Sequence, residues 1–427
     1  MHRRRFLTHF VRGGAALAAQ SFCGARLLAL ETPPRVIWQF EDMAGRPASA
    51  FHPEYPANPA SLTKMATSLL ALYRHSPAYR YRTVAVPLGP IDFKSGMLQG
   101  DLHLFASADP DFHFENAVLL SSGLNRLGIT QVAGNLVVHG PFHMDWDHGR
   151  VPSTPGEWQV HNYKKAQLLR SSWDRQSWHP TRKRQWDKVR SRLSAYHNEE
   201  LLAGFHGIKI LGGIQLGNAT TVPRLVPAVI HHSNPLLRIL KRFNCHSNND
   251  IERIGQQLGG PRALESFLIE QLRLPAQEVY FSSTSGLEIN RLSPRGTVQV
   301  LRQLMNVGKR HRLQLCDILP VAGMDKSTLQ KRFTEPGYAG SVVGKTGTLV
   351  DTDGGVQTLS GVCYTKKGQF LFAIFHLGTG HKPDAARRQI DQSLRTFIDN
   401  NGGPAALSYT PPSFPLSYDQ VRIEVAG

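Results

Sequence analysis

The sequence predicts an α+β protein in which one domain is interrupted by a second, β-rich domain. A helical run of apolar residues lies near the start, at residues 59–72, and amphipathic helical segments return only after residue 235. Short strand candidates separated by Gly, Pro and Asp fill the interval between them. We therefore expect residues 26–79 and 223–402 to form one domain, into which residues 80–222 are inserted.

The first 25 residues have the composition of a cleaved export signal. Arg3, Arg4 and Arg5 precede Phe6-Leu7, and a short, weakly apolar stretch follows, with a candidate cleavage point after Ala25. The Arg-Arg-x-Phe-Leu pattern resembles a twin-arginine signal, which exports folded proteins. We therefore expect a periplasmic protein. The alternative is a basic amphipathic arm that stays on the mature chain.

The elements are expected in the following order. A strand at 35–40 and a turn at 44–47 lead into the first helix, where Pro59 suits the first turn. Further strands are expected at 84–86, 102–105, 135–138, 207–210, 213–216, 358–364 and 370–377. Further helices are expected at 115–127, 235–244, 251–258, 261–272 and 384–399. The proline-rich tail, residues 403–427, is expected to be poorly ordered or to lie along the surface.

The chain is strongly basic, with a formal net charge of +17. Removal of the predicted signal takes away four arginines and no acids, which leaves +13. Such a charge suits a polyanionic neighbour, either nucleic acid or an anionic cell envelope. We expect no nucleic-acid binding, because no recognised nucleic-acid-binding motif accompanies the charge. Beyond the N-terminus no apolar run is long enough to span a membrane.

The positive charge is concentrated at residues 163–192, which hold ten Lys or Arg and two Asp. This basic segment is interpreted as a solvated helix or lobe, with binding to the envelope as the alternative. Its tryptophans, Trp173, Trp178 and Trp186, would either stack on sugar rings or form the core of the lobe.

Neither cysteines nor histidines indicate a metal site or a cofactor. Apart from Cys23 in the predicted signal, the chain has Cys245, Cys316 and Cys363, whose spacing matches no zinc pattern. We interpret these three as small buried residues. His231 and His232 are adjacent, and on a helix their side chains would point in different directions, so we expect no metal there.

Ser61 and Lys64 are the first candidates for chemistry. Three residues apart on a helix, they lie on the same face and can meet. A serine hydroxyl is a poor nucleophile, but a desolvated lysine amine with a lowered pKa can take its proton. Ser-x-x-Lys also occurs often by chance, and the alternative is a helix cap followed by a solvated lysine.

Two later motifs make the catalytic interpretation specific. Ser247-Asn248-Asn249 and Lys345-Thr346-Gly347-Thr348 follow in that order. Each is weak alone, since Ser-x-Asn is a common turn. The ordered set of Ser-x-x-Lys, Ser-x-Asn and Lys-Thr-Gly is the signature of penicillin-binding proteins and serine β-lactamases.

With these motifs the sequence resembles the D-alanyl-D-alanine carboxypeptidase/endopeptidase family, the low-molecular-mass penicillin-binding proteins with an insert after the Ser-x-x-Lys helix. The likeness covers residues 35–142 and 205–400 and includes, beyond the motifs, Leu98-Gln99-Gly100-Asp101-Leu102, Ala133-Gly134-Asn135-Leu136-Val137-Val138, His232-Ser233-Asn234-Pro235-Leu236, Leu319-Pro320-Val321-Ala322-Gly323-Met324-Asp325 and Leu359-Ser360-Gly361-Val362. It implies a serine β-lactamase/DD-peptidase-like fold, an antiparallel sheet flanked by helices. Two departures stand out: Ser283-Thr284-Ser285-Gly286-Leu287 replaces the usual Asp-Gly-Ser-Gly-Leu, and residues 143–204 do not resemble the family's insert.

The resemblance implies hydrolysis of D-alanyl-D-alanine bonds in peptidoglycan stems or cross-links through an acyl-enzyme at Ser61. Lys64 would be the acylation base. Ser247 would relay a proton to the leaving amine, and Asn249 would hold the substrate amide or Lys64. Lys345, Thr346, Gly347 and Thr348 would bind the terminal carboxylate, and the N–H groups of Ser61 and Thr348 would form the oxyanion hole. β-Lactams would be covalent inhibitors, and no cofactor is implied.

Two other functions remain open. A serine β-lactamase of the same fold would need fast deacylation, and no counterpart of the class A glutamate is evident in the sequence. A non-catalytic, basic envelope-binding protein would not need all three motifs to be intact.

Overall fold

The structure is a computed structural model that describes residues 34–197, 202, 205–223, 226–413 and 418–426. The predicted export signal and Cys23 lie outside the described residues. Residues Arg35–Gly427 pack as one compact unit, so the division into a main and an inserted domain stays a prediction. In the described part of the chain no helix combines the length and apolarity needed to cross a bilayer.

The described residues contain nine α-helices. They are α1 (Thr63–Arg74), α2 (Phe114–Arg126), α3 (Pro155–Trp173), α4 (Pro180–Leu193), α5 (Leu236–His246), α6 (Ile251–Gln257), α7 (Gly260–Leu272), α8 (Pro294–Arg310) and α9 (Pro383–Asn400).

The strands number seventeen in the same part of the chain, several of them only two residues long. They are β1 (Val36–Asp42), β2 (Pro47–Phe51), β3 (Arg82–Leu88), β4 (Ile91–Asp92), β5 (Met97–Leu98), β6 (Asp101–Phe105), β7 (Gln131–Val132), β8 (Leu136–His139), β9 (Lys209–Ile210), β10 (Ile214–Gly217), β11 (Ala228–His232), β12 (Tyr280–Phe281), β13 (Asn290–Arg291), β14 (Val342–Leu349), β15 (Val356–Thr365), β16 (Gly368–Leu377) and β17 (Arg422–Ala426).

The larger part of the core is built on a five-stranded antiparallel sheet in the order β14-β15-β16-β1-β2. Side chains alternate between its faces. On β16, Ala373 and Phe375 pack with α8, whereas Phe372 and Ile374 pack with α9. Because both faces are covered, β16 is apolar on both sides in its buried stretch. The resemblance implied an antiparallel sheet flanked by helices, and this prediction is confirmed.

Helix α1 lies in the interior of the helical part of this core. Every residue from Thr63 to Leu72 is buried, including Lys64, so no side of these three turns faces water. Helices α5, α6, α7 and α8 share its apolar cluster. A lysine at the start of such a helix is therefore held in a desolvated environment, which matters for the site described below.

A six-stranded mixed sheet, in the order β10-β8-β6-β3-β11-β17, is formed mainly by the predicted insert. Strands β6, β8 and β10 are parallel to one another, whereas β3, β11 and β17 pair antiparallel. Helices α2 and α3 pack on this sheet through residues such as Leu124 and Leu169.

Four details differ from the sequence-based expectations. The tail is not merely a surface segment, since β17 completes the edge of the six-stranded sheet next to β11. His231 and His232 lie on β11 rather than on a helix. Helix α8 was not expected. The first helix begins at Thr63, later than predicted, and Ser61 lies in the preceding 3-10 turn (Ala60–Leu62).

The basic segment, residues 163–192, consists of the second half of α3, the link that follows it and almost all of α4. Its tryptophans are buried in apolar clusters: Trp173 packs beneath the six-stranded sheet, and Trp178 and Trp186 pack with Phe205. They form the core of this lobe, and the interpretation of them as sugar-stacking residues is wrong. Cys245, Cys316 and Cys363 are buried and free, as the sequence indicated.

Candidate active site

Ser61 is presented by a short 3-10 turn immediately before α1. Asn58 fixes this turn: its Oδ1 accepts the N–H of Ala60 at 3.0 Å, and its Nδ2 donates to the carbonyl of Glu288 at 2.9 Å. Ala60 has a left-handed backbone, with φ of 50°. The turn therefore holds Ser61 in a defined, half-buried position at the N-terminal end of a rigid helix.

Lys64 connects Ser61 with two other parts of the chain. Its Nζ lies 2.9 Å from Ser61 Oγ, 2.9 Å from Asn249 Oδ1 and 2.5 Å from the carbonyl oxygen of Ser285. The amine has no solvent exposure. Three oxygen partners fix its direction, so it is already placed to exchange a proton with Ser61.

Burial lowers the pKa of Lys64 to about 7, an effect that the negative charge of Glu252 partly opposes. Near neutral pH a substantial fraction of the amine is therefore unprotonated. In that state Ser61 can donate its hydroxyl proton to Nζ, which is the step that a serine nucleophile requires.

The Ser247–Asn249 turn follows directly from the end of α5. Ser247 is the C-cap residue and adopts a left-handed backbone, with φ of 50°. Asn248 stabilises the turn by accepting the N–H of Asp250 on its Oδ1 at 2.8 Å. As a result Asn249 points to Lys64, and Ser247 points to Lys345.

Lys345 lies on β14, the edge strand of the five-stranded sheet, and is completely buried. Its Nζ donates to Ser247 Oγ at 2.9 Å and to the carbonyl of Thr346 at 2.7 Å. Burial, together with repulsion from Lys64, holds the pKa of Lys345 well below its ordinary value. A positive charge on Lys64 therefore disfavours a positive charge on Lys345.

Gly347 lets β14 approach the Ser61 turn. A Cβ atom at this position would lie 2.2 Å from Thr358 Oγ1 and 2.9 Å from the carbonyl oxygen of Pro59. The absence of a side chain therefore places Thr348, the next residue, beside the Ser61 turn. An oxyanion hole made from the N–H groups of Ser61 and Thr348 requires this proximity. The hydroxyls of the two threonines are hydrogen-bonded within the protein, that of Thr346 to Thr328 and that of Thr348 to Gln357.

The structure thus brings together all of the predicted site residues. Ser61, Lys64 and Asn249 form one hydrogen-bonded group, and Ser247, Lys345 and Thr346 form a second. The groups meet through the Ser247–Asn249 turn and through the approach of Gly347 to Pro59. Their roles in catalysis stay predictions.

Sequence reasoning missed two contributors to this site. The carbonyl oxygen of Ser285 accepts a hydrogen bond from Lys64. Because this is a backbone group, the residue type at position 285 does not reveal the contact. Glu252 is buried, and its Oε1 accepts the N–H of Thr284, the residue before Ser285. The only hint in the sequence is the spacing of Glu252, three residues after Asn249, which places it on the first turn of α6.

A segment of the predicted insert contacts the Ser-x-Asn turn. The Oδ1 of Asp250 accepts the N–H groups of Asp147 and Gly149, each at 3.2 Å, and Arg253 pairs with the carboxylate of Asp147 at 2.6 Å. A Cβ atom on Gly149 would lie 2.9 Å from the Cβ of Asn249. The insert therefore forms part of the immediate surroundings of the site.

One described cluster has the geometry of a metal site. Ligand atoms of His143, Asp147 and His161 lie within 4.8 Å of one another. The Asp147 carboxylate, however, already pairs with Lys165 and Arg253, each at 2.6 Å. A divalent cation would face two fixed positive charges there, so the cluster does not fit a metal.

Comparison with known proteins gives a consistent result. A sequence profile of the D-Ala-D-Ala carboxypeptidase 3 (S13) family matches residues 41–152 and 188–399. The unmatched stretch between them covers α3 and the first part of α4. It is shorter than the divergent region expected from the sequence, residues 143–204.

Solved structures share the fold. A predatory peptidoglycan endopeptidase from Bdellovibrio bacteriovorus is 23% identical, with 92% of this chain and 98% of that chain covered and a TM-score of 0.76. The same endopeptidase, acylated by penicillin G and in complex with an immunity protein, is 22% identical, with coverage of 91% and 98% and a TM-score of 0.74. Penicillin-binding protein 4 from Haemophilus influenzae is 18% identical, with coverage of 85% and 96% and a TM-score of 0.61.

Proposed function

Because the chain belongs to the D-Ala-D-Ala carboxypeptidase 3 (S13) family, we propose that it hydrolyses D-alanyl-D-alanine bonds in peptidoglycan stems or cross-links through an acyl-enzyme at Ser61. The observation that carries the proposal is the contact of Ser61 Oγ with a fully buried lysine amine at 2.9 Å. That pair supplies a nucleophile and a base of suitable pKa from the 3-10 turn and the first turn of the helix that follows it.

In the acylation step Ser61 Oγ attacks the carbonyl carbon of the scissile bond, and its proton passes to Lys64 Nζ. The N–H groups of Ser61 and Thr348 stabilise the oxyanion, a contribution of roughly 3–4 kcal/mol for each donor. When the C–N bond breaks, the proton that Lys64 took from Ser61 passes through Ser247 to the leaving D-alanine amine, which leaves Lys64 neutral. The acyl group stays on Ser61 Oγ.

The free carboxylate of the substrate binds between Lys345 and the threonines of the Lys-Thr-Gly strand. Its negative charge favours the ammonium form of Lys345, which burial otherwise disfavours. The hydroxyl of Thr348 is exposed enough to reorient from Gln357 toward this carboxylate. Substrates that end in a carboxylate are therefore preferred over their amides.

Deacylation needs a base for the attacking water. Once the leaving amine has departed with its proton, Lys64 is again a neutral amine beside the ester. We assign it this second role because, among the described residues, it is the group that contacts Ser61 Oγ. Glu252 is a poorer candidate, since it is buried and binds the backbone of Thr284. This arrangement does not favour the rapid deacylation of a β-lactamase.

One of the structural relatives supports two further parts of the proposal. One relative is described as a peptidoglycan endopeptidase, and it has been obtained acylated by penicillin G. We propose that β-lactams likewise acylate Ser61 of this chain. Since peptidoglycan lies outside the cytoplasm, and the first residues resemble a twin-arginine signal, we propose export to the periplasm.

Covalent labelling tests the proposal directly. The purified protein should bind a fluorescent penicillin, and Ser61→Ala should abolish labelling while its circular dichroism spectrum stays unchanged. The parent should release D-alanine from a D-Ala-D-Ala peptide and turn over nitrocefin only slowly. Rapid nitrocefin turnover would favour a β-lactamase, and the absence of both labelling and hydrolysis would favour a non-catalytic envelope-binding protein.

A further inference from the structure

A cavity of about 880 Å³ lies where three parallel strands of the six-stranded sheet end. Phe105, His139 and Gly217, the last residues of β6, β8 and β10, all line it. The loops that leave these strands at their carboxyl ends border a concave space of a size suited to a small ligand. The cavity is thus a candidate binding site outside the catalytic residues.

Two helices close the other sides of this cavity. Arg253 and Gln256 project from α6, and Trp158 and Asn162 project from α3. The indole of Trp158 is partly exposed and is held in place by the imidazoles of His143 and His161, with ring centroids 5.4 and 5.5 Å away. Helices and strand ends thus border part of the cavity, and loop residues such as Pro152 and Asn218 line the rest.

The lining has the chemistry that an amino sugar requires. An aromatic face packs against the C–H face of a pyranose ring, and the exposed side-chain amides of Asn218 and Gln256 can bond its hydroxyl and acetamido groups. Arg82 at the same edge is exposed, and its guanidinium has no hydrogen bond or ion pair within the described residues. A free guanidinium can donate several hydrogen bonds to the amide carbonyl and hydroxyl oxygens of such a sugar.

The cavity is close to the candidate active site along the chain. Gly149 packs against Asn249, and Val151, two residues later, lines the cavity. Two residues span at most about 7 Å. Likewise Arg253 follows Asn249 by about one helical turn. A peptide of three or four residues reaches roughly 10–14 Å when extended, which is enough to connect the two places.

We propose that this cavity binds an amino sugar of the peptidoglycan glycan strand, the one whose carboxyl group forms the amide bond to the stem peptide. It thereby holds the glycan end of a substrate whose stem peptide reaches Ser61. The inference rests on the proposed function, because it assumes that the stem is the substrate of the site. It adds a subsite that recognises the sugar independently of the D-alanyl-D-alanine end.

The first test compares hydrolysis of one stem peptide in two forms, free and attached to its disaccharide. Trp158→Ala and Arg82→Glu should lower the ratio of kcat/KM for the disaccharide form to that for the free form by about tenfold, as expected when an anchor of an interface is removed. Tyr163→Ala is the matched control, since Tyr163 is an exposed aromatic residue on the same helix and does not line the cavity. It should leave the ratio unchanged.

The second test measures binding of the peptide-free disaccharide by titration calorimetry, so it does not depend on hydrolysis. The parent and Ser61→Ala should bind it equally, and Arg82→Glu should bind it at least about tenfold more weakly. The proposal is overturned if the parent does not bind the disaccharide, or if the ratio in the first test is the same in all variants. Failure of free-peptide hydrolysis with retained disaccharide binding would instead contradict the proposed function alone.

Discussion

Lys64 and Lys345 are both completely buried, and each amine lies 2.9 Å from the hydroxyl of a serine, Ser61 and Ser247 respectively. Burial lowers the pKa of both lysines, and repulsion from Lys64 lowers that of Lys345 further. A charge on Lys64 thus disfavours a charge on Lys345. A bound carboxylate would draw the charge to Lys345 and leave Lys64 neutral, so substrate binding itself would prepare the base.

The rate of acylation should rise with pH through a pKa of about 7. The base must be unprotonated, and the pKa of Lys64 is depressed from 10.5 to about 7, so the active form is lost as the pH falls through that value. Second-order acylation by a β-lactam, measured between pH 5 and 9, gives this pKa. Glu252→Gln removes the charge that raises the pKa of Lys64, so its profile should shift to lower pH. If the acylation rate rose only near the ordinary pKa of lysine, this result would contradict the assignment of Lys64 as the base.

The loss of kcat/KM caused by Lys345→Ala should differ between two substrates that differ only in their terminal group. Loss of a charge-assisted hydrogen bond should lower kcat/KM for the free carboxylate roughly 10- to 100-fold. The corresponding peptide amide, which lacks the negative charge, should lose much less. An equal loss for both peptides would show that Lys345 acts on the chemistry or on the fold and not on the carboxylate.

Gly347→Ala should disturb both the site and the fold. The added methyl group would lie 2.2 Å from Thr358 Oγ1, and overpacking of this kind costs roughly 1–3 kcal/mol. Penicillin labelling should slow strongly, and the free energy of unfolding in urea should fall. Gly156→Ala is the control, because a methyl group added there would have no other atom within 4 Å. If Gly347→Ala labels like the parent, β14 does not need its close approach to the Ser61 turn.

We expect the exposed charges of the basic segment to contribute to the binding of intact sacculi. We expect them to make no contribution to the hydrolysis of small peptides. Arg182 is unsuitable as a probe because it bonds Ser172 and lies over the ring of Phe114. Charge reversal is better placed at residues whose side chains are exposed and carry no buried contact: Lys183, Arg184, Lys188 and Arg190.

This fourfold variant should lose sacculus binding, most clearly at low salt, because exposed charges are screened over about 10 Å at 0.1 M ionic strength. The control reverses the same number of exposed charges outside the basic segment, at Lys309, Arg310, Lys331 and Lys366. Equal pull-down of both variants and the parent would show that this surface has no part in envelope binding.

Replacement of Arg3 and Arg4 by lysine should retain the precursor inside the cell if export uses the twin-arginine route. Fractionation followed by immunoblotting measures this. Normal export of the variant would indicate the general secretory route instead.

The local motifs could be predicted from the sequence because their geometry is local. A spacing of three residues brings Ser61 to Lys64 on any helix start, and alternation of apolar residues marks a strand such as β16. Contacts between distant segments gave no such signal. The carbonyl of Ser285 contributes through backbone position alone, and β17 is identified only by its pairing with β11.

The tryptophans of the basic segment illustrate the same limit. Their surroundings in the sequence are charged, but on α3 and α4 the indoles of Trp173 and Trp186 are buried, whereas the cations other than Lys165 are exposed or half-buried. The sequence alone did not distinguish a sugar platform from a core, because the partner Phe205 comes from a later segment.

The pairing of β17 with β11 joins residues almost 200 positions apart at the edge of the six-stranded sheet. During synthesis, β11 emerges from the ribosome long before its neighbour exists, and its outer edge stays open until residues 422–426 have followed. A chain released early would expose that edge to other strands and would be prone to aggregation or degradation. The sheet that borders the proposed sugar cavity thus becomes complete only in a chain translated to this point, and an export route that accepts folded proteins would act after that step.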